Sequence, residues 1–247
     1  MRPWRGRLGP LIAALAGISA VLIAAAPVAA LAGEAATLEV IGFSPDGQYF
    51  AFEQYGVIDG GPTAFSEIHV IEVTDNAYAV PVQRRHRDEA GADTLAALRA
   101  GNRAAAAATL TRLGLDAPQP GRLLVHRPLT DLDAAAHAAR FAATAPLHGL
   151  PAPAHYRLVL DSRPAPQVDC HGLGTGRALT LRLEHAGASR VLQHDAGVPP
   201  SRGCVFGYRI HGVWLHGDHL AVLLALSVPG FEGESLRYRA VTGRLGN

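Results

Sequence analysis

The chain has 247 residues, 49% of them hydrophobic, with 22 basic against 21 acidic side chains. A chain of this length suits one large domain or two small ones. Without Arg2, Arg5 and Arg7 the remainder carries 19 arginines against 21 acids, a net charge near −2, so the basic excess of a nucleic-acid binder is missing.

Arg2, Arg5 and Arg7 make a positive start, Leu11 to Ala26 is apolar and uncharged, and Ala30-Leu31-Ala32 places small residues two apart before Gly33. This three-part pattern predicts a secretory signal over residues 1–32, cleaved after Ala32. An uncleaved anchor is the alternative, because the stretch approaches the roughly 20 apolar residues of a spanning helix. No later segment has that length without charges, so residues 33–247 are expected as a single exported β-rich domain, in the periplasm or beyond, with no membrane span after cleavage. Every basic residue is arginine and alanine is abundant; both read as the imprint of a GC-rich genome, not as phosphate recognition.

The first third reads as β. Leu38 to Phe43 is a short strand, Ser44-Pro45-Asp46-Gly47 has proline and glycine where a turn takes them, and Tyr49 to Phe52 returns. Two runs joined so tightly predict a hairpin. A glycine-rich loop over residues 56–61 leads to a third strand over 66–73.

The middle changes character. Asp93 is a plausible cap for a helix through Leu95 and Leu98, Gly101-Asn102 interrupts it, and a second helix follows from Arg103 to Leu113 before Gly114. Thr130, Asp131 and Asp133 would cap a third short helix over the alanines up to Phe141. With few large apolar residues, this helical insertion, about 90–143, is expected on the surface of the β core. Pro146, Pro151 and Pro153 suggest a linker.

The last third alternates with period two. Leu179, Leu181 and Leu183, then Tyr208 and Ile210, then Leu236, Tyr238 and Ala240 each occupy every second place, the mark of half-buried strands. Gly217-Asp218 is a two-residue hairpin turn, and the unbroken apolar run from Leu220 to Val228 predicts a central strand. The fold class is therefore mainly β, antiparallel sheets packed as a sandwich with a small helical insertion.

Cys170 and Cys204 are the two cysteines. In an exported chain the pair reads as a disulfide, with buried free thiols as the alternative.

Ile41-Gly42-Phe43-Ser44-Pro45-Asp46-Gly47-Gln48-Tyr49-Phe50-Ala51-Phe52-Glu53-Gln54-Tyr55-Gly56 with Ser66-Glu67-Ile68 resembles the opening of a family of bacterial predicted secreted proteins carrying a domain of unknown function. Gly207 to His211, Pro229 to Gly233 and Val241 to Leu245 resemble its end. The resemblance implies export and brings no activity. The Phe-Ser-Pro-Asp-Gly core is also similar to the blade motif of periplasmic propellers, where it shapes a turn. It occurs once here, so one propeller-like hairpin is the inference.

Several groups invite chemistry. His216, Asp218 and His219 flank one turn and could hold a metal, though residues at a hairpin tip are more simply solvated neighbours. His171 to Gly176 is a glycine-rich loop, but a strand follows where a phosphate cradle needs a helix. Glu53, Asp59, Glu67 and Glu72 could pair across a cleft as acid and base, although strand-edge carboxylates are usually just hydrated. Tyr49, Phe50, Phe52 and Tyr55 place aromatics on both faces of one strand; a core explains one face and a partner surface would explain the other. No catalytic, cofactor or metal site is assigned, and no cofactor is expected. The reading is an exported, non-catalytic binding or interaction module of the cell envelope with an unidentified envelope protein or ligand as partner. The alternative is an extracytoplasmic hydrolase or metal-dependent enzyme.

Overall fold

The computed structural model describes residues 33–58, 61, 63–87, 94–131, 133–143, 154–168, 170, 172–199, 202–230 and 233–246. The signal, the Asp93 cap, Asp59, His171 and the three linker prolines lie outside the described residues. Three antiparallel sheets and one helix make up the rest.

The first sheet runs β1 (Thr37–Phe43), β2 (Tyr49–Val57), β3 (Ala64–Glu72), with β4 (Ala77–Tyr78) and β5 (Gln83–Arg87) both paired to β3. The middle sheet is β6 (Arg122–His126), β11 (Gly207–His216), β12 (His219–Pro229), β13 (Glu234–Arg244), in the order 13-12-11-6. The far sheet is β7 (Ala138–Ala143), β8 (Ala154–Pro164), β9 (Arg177–His185), β10 (Ala188–His194), in the order 10-9-8-7.

The strand β12 explains how they stack. Because successive side chains point to opposite faces, Leu220, Val222, Leu224 and Leu226 enter one core while Ala221, Leu223 and Ala225 enter another. The first core joins β12 to Leu158, Leu160, Leu179, Leu181 and Leu183 of the far sheet. The second joins it to Phe43, Phe50, Phe52 and Phe65 of the first sheet. The expected two-sheet sandwich is thus three sheets deep, with β12 central as its unbroken apolar run predicted.

α1 (Leu95–Arg112) forms a fourth layer on the outer face of the first sheet, where Ala106 packs with Ala51, Ile68 and Val70. The Thr94 hydroxyl caps it by accepting from the Ala97 N–H (3.1 Å), and Gly114 at φ 69° ends it. The two helices expected across Gly101-Asn102 are one. Arg85 packs where a Cβ at Gly101 would stand, 2.2 Å away. Buried Asn102 donates to the carbonyl of Ser66 (3.1 Å) and to its hydroxyl (2.8 Å). Both residues are contacts to the sheet, not breaks in the helix. The third expected helix is also corrected. Asp131 only closes a turn by accepting from the Ala134 N–H, and β7 follows, with Ala139, Phe141 and Ala143 inward and Arg140 exposed.

The Ser44–Gly47 turn is built as its residues suggest. The Ser44 hydroxyl donates to Asp46 (2.6 Å) and accepts from the Tyr49 N–H (3.0 Å), while Asp46 also accepts from the Gln48 N–H (3.0 Å). It docks on the tip of the β11–β12 hairpin. His216 stacks on Phe43 (5.7 Å between centroids) and donates from Nε2 to the Pro45 carbonyl (3.1 Å). Gly47 sits at φ 75°, and a Cβ there would fall 2.2 Å from Nδ1 of His219. The turn therefore keys the first sheet to the middle one, and the sheets stack as layers, so the propeller likeness ends at this hairpin. Gly47→Ala should cost about 1–3 kcal/mol from the left-handed backbone and the displaced ring. Urea unfolding reads it; a His219→Ala background should recover about 1 kcal/mol of the loss, and no recovery would remove the steric part of the account.

Candidate functional site

The structure separates the acids that sequence placed together. Glu53 points to the helix side of the first sheet, where it is 0% exposed. It accepts from the Ser66 hydroxyl (2.8 Å), from Arg99 (3.0 and 2.9 Å) and from Nε of Arg103 (2.8 Å). Burial opposes its charge, but the two guanidinium groups outweigh it and hold the carboxyl below its ordinary range. Arg99 also lies 3.5 Å from the Tyr55 ring centroid. Tyr49 packs into the cluster beneath the helix. The second aromatic face of β2, read from sequence as a partner surface, is thus covered by the chain's own α1.

Glu67 lies on the opposite face, turned toward β13. Glu53 and Glu67 cannot act as one acid–base pair across a sheet. Glu72 is at the far end of β3, beside Asp46, Asp75 and Arg244.

The histidines at the hairpin tip do not converge on an ion either. Asp218 accepts from Nε (3.0 Å) and a terminal nitrogen (2.8 Å) of Arg244, and His216 is engaged by the Pro45 carbonyl. Among the described residues no three histidine, cysteine or carboxylate groups are placed to hold a metal. His211, the bulged residue of β11, is packed edge-on between His126 (5.4 Å) and Tyr238 (5.0 Å). Burial pushes its pKa down to about 4, so the ring is neutral at pH 7.

Cys170 and Cys204 are bonded, their Cα atoms 5.3 Å apart. The bridge pins the loop that carries Arg202. The Arg202 side chain is buried against Asp195, which also accepts from the Leu179 N–H (3.0 Å) and from Gln193 (2.8 Å). Burial opposes both charges; their pairing holds Asp195 low and Arg202 high.

Around the edge of β13 the three sheets meet, and here polar groups gather. Gln54 Oε1 accepts from the Tyr238 N–H (2.7 Å), which fixes the amide so that its NH2 faces Nε2 of His69 (3.1 Å) and Glu67 (2.9 Å). An NH2 can only donate, so Nε2 of His69 is the acceptor and Nδ1–H donates to the Tyr78 hydroxyl (3.3 Å). Burial pushes the His69 pKa down in agreement with this neutral form. Burial works against the Glu67 charge, and Arg84, whose Nε donates to the carboxyl (2.8 Å), works for it. Asn76 accepts from the Thr242 N–H (2.9 Å) and donates to Gln193 (2.6 Å), tying β13 to β10. Side chains therefore stand where a neighbouring strand would, which protects the edge. Arg239 completes the group, its guanidinium 5.6 Å from the Tyr78 ring centroid.

Sequence reading missed Tyr78, Asn76 and Arg239. One signal was present: along β13, Arg237, Arg239 and Val241 share a face, so that face passes from polar to core within two residues.

A model of one protein family, described as predicted secreted protein (DUF2259), matches residues 51–244. The chain belongs to this family. Membership agrees with the export read from residues 1–32 and with the resemblance at both ends of the chain, and it carries no known activity. The DUF2259 match opens inside β2 and closes at the end of β13, so it spans all three layers while the Ser44–Gly47 turn lies before it. No curated protein and no solved structure matches the chain. No helix among the described residues is long and apolar enough to cross a membrane.

Proposed function

We propose that this member of the DUF2259 family is a non-catalytic binding module of the cell envelope, cleaved after Ala32 and working in the periplasm as one domain from Gly33 on. The observation that carries the reading is the outer face of the far sheet. The first sheet is covered by α1 and the middle sheet by its neighbours, whereas Arg140, Arg157, Arg182 and Val191 project from a four-stranded face that no other described element covers; Val191 is 53% exposed. Cross-strand ion pairs, Arg157 with Glu184 (2.9 Å) and Arg182 with Asp161 (2.7 Å), order that face. A flat, charged and ordered surface suits a polar partner better than an apolar one.

The displaced titratable groups support the same reading. Glu53, His69 and Asp195 each spend their hydrogen bonds on joining layers, which is how structural ion pairs perturb titration without catalysis. A photo-crosslinking residue in place of Val191, in cells, should yield one discrete adduct in the envelope fraction. The same residue in place of exposed Ala104 on α1 should not. Equal labelling from both positions, or none from either, would sink the proposal.

A further inference from the structure

Arg239 and Tyr78 carry donors that no described residue receives, a buried Nε in the case of Arg239 and an exposed hydroxyl in the case of Tyr78. Arg239 is partly buried on β13, opposite Leu224 of the core. Among the described residues its Nε has no hydrogen-bond partner and its guanidinium no carboxylate. An unpaired, partly desolvated charge is costly, and removal from water pulls the Arg239 pKa down. The nearby acid, Asp195, is already taken by Arg202, so the junction holds one uncompensated positive charge.

Tyr78 supplies the second donor. The chain of hydrogen bonds from the Tyr238 N–H through Gln54 and His69 ends on the Tyr78 oxygen. That oxygen accepts from His69, which leaves its own O–H without an acceptor among the described residues. Bonds aligned in one direction polarise one another and strengthen the last donor. The residue is 41% exposed, so the donor is reachable.

We infer that Arg239 and Tyr78 form a binding site for the carboxylate group of a ligand, at the junction of the three sheets. One uncompensated charge matches a monoanion, whereas a phosphate dianion would leave an excess negative charge against the core. The two terminal nitrogens of a planar guanidinium match a carboxylate in a two-point fork, and the tyrosine hydroxyl adds a third donor. The site is separate from the outer face of the far sheet and stands without that proposal.

The test is titration of the 15N-labelled exported chain with sodium acetate and, separately, inorganic phosphate at matched ionic strength, following the backbone amide resonance at position 78. Acetate should shift it saturably with a Kd on the order of 10 mM, and phosphate more weakly. Tyr78→Phe, which removes only the hydroxyl, should weaken acetate roughly tenfold. Arg239→Met should abolish the response without lowering Tm, because a side chain kept for a ligand costs stability where it stands. No saturable shift by about 100 mM, phosphate binding as tightly as acetate, or an unchanged Kd in Tyr78→Phe would each overturn the site. A fall in Tm for Arg239→Met would also do so by making the arginine structural.

Discussion

Glu53→Ala is expected to remove about 3–5 kcal/mol of stability, because it leaves two guanidinium groups against a buried wall without their counter-charge. Arg99 and Arg103 come from successive turns of α1 and reach the same carboxylate, so this one side chain fastens the helix to the first sheet. Glu39 touches both arginines as well, but it is far more exposed. Glu39→Ala should therefore cost no more than about 1 kcal/mol. Urea unfolding of the two variants checks the difference, and near-equal losses would show that the arginines answer to either acid. Amide exchange offers a second reading: in Glu53→Ala the α1 amides should lose protection before those of β12.

Replacing both Cys170 and Cys204 by serine is expected to cost about 4 kcal/mol. The bridge spans 34 positions, and in the chain-entropy model a loop of that size restrains the unfolded chain by about this amount. The native state adds a local term. Arg202 stands two residues before Cys204, and its buried contact with Asp195 depends on where that loop sits. The double variant should thus lose more than the intact protein loses on Arg202→Met alone, which removes the contact and keeps the bridge. Denaturant midpoints for the two variants settle the order; a smaller loss without the bridge than without Arg202 would place the stability in the ion pair.

The hairpins were legible because their cues are local. Ser44–Gly47 and Gly217-Asp218 are turns by residue chemistry, and the alternation of Leu179 to Leu183 and of Leu236 to Ala240 fixes which side is buried. The apolar run from Leu220 to Val228 signalled a strand with core on both faces, which is what a middle layer needs. Three layers were harder to foresee than two, since the far sheet owes half its strands to Ala138–Ala143 and Ala188–His194, where alanine, arginine and serine give weak alternation. Gly101-Asn102 misled for a related reason. Each residue reads as a helix breaker from propensity alone, yet the glycine makes room for Arg85 and the asparagine side chain satisfies β3. The site at Arg239 was invisible for a third reason. It joins residues near positions 54, 69, 78, 202 and 239, and none of them has a motif around it.

The stacking order has a consequence for export. Both outer sheets are complete by His194, but their apolar faces close on a middle sheet whose three long strands occupy Gly207–His216, His219–Pro229 and Glu234–Arg244. A chain emerging from its N-terminus thus presents two unfinished sheets, each with an uncovered greasy face, until its final forty residues arrive. That window favours aggregation. The sooner the tail follows, the shorter that interval.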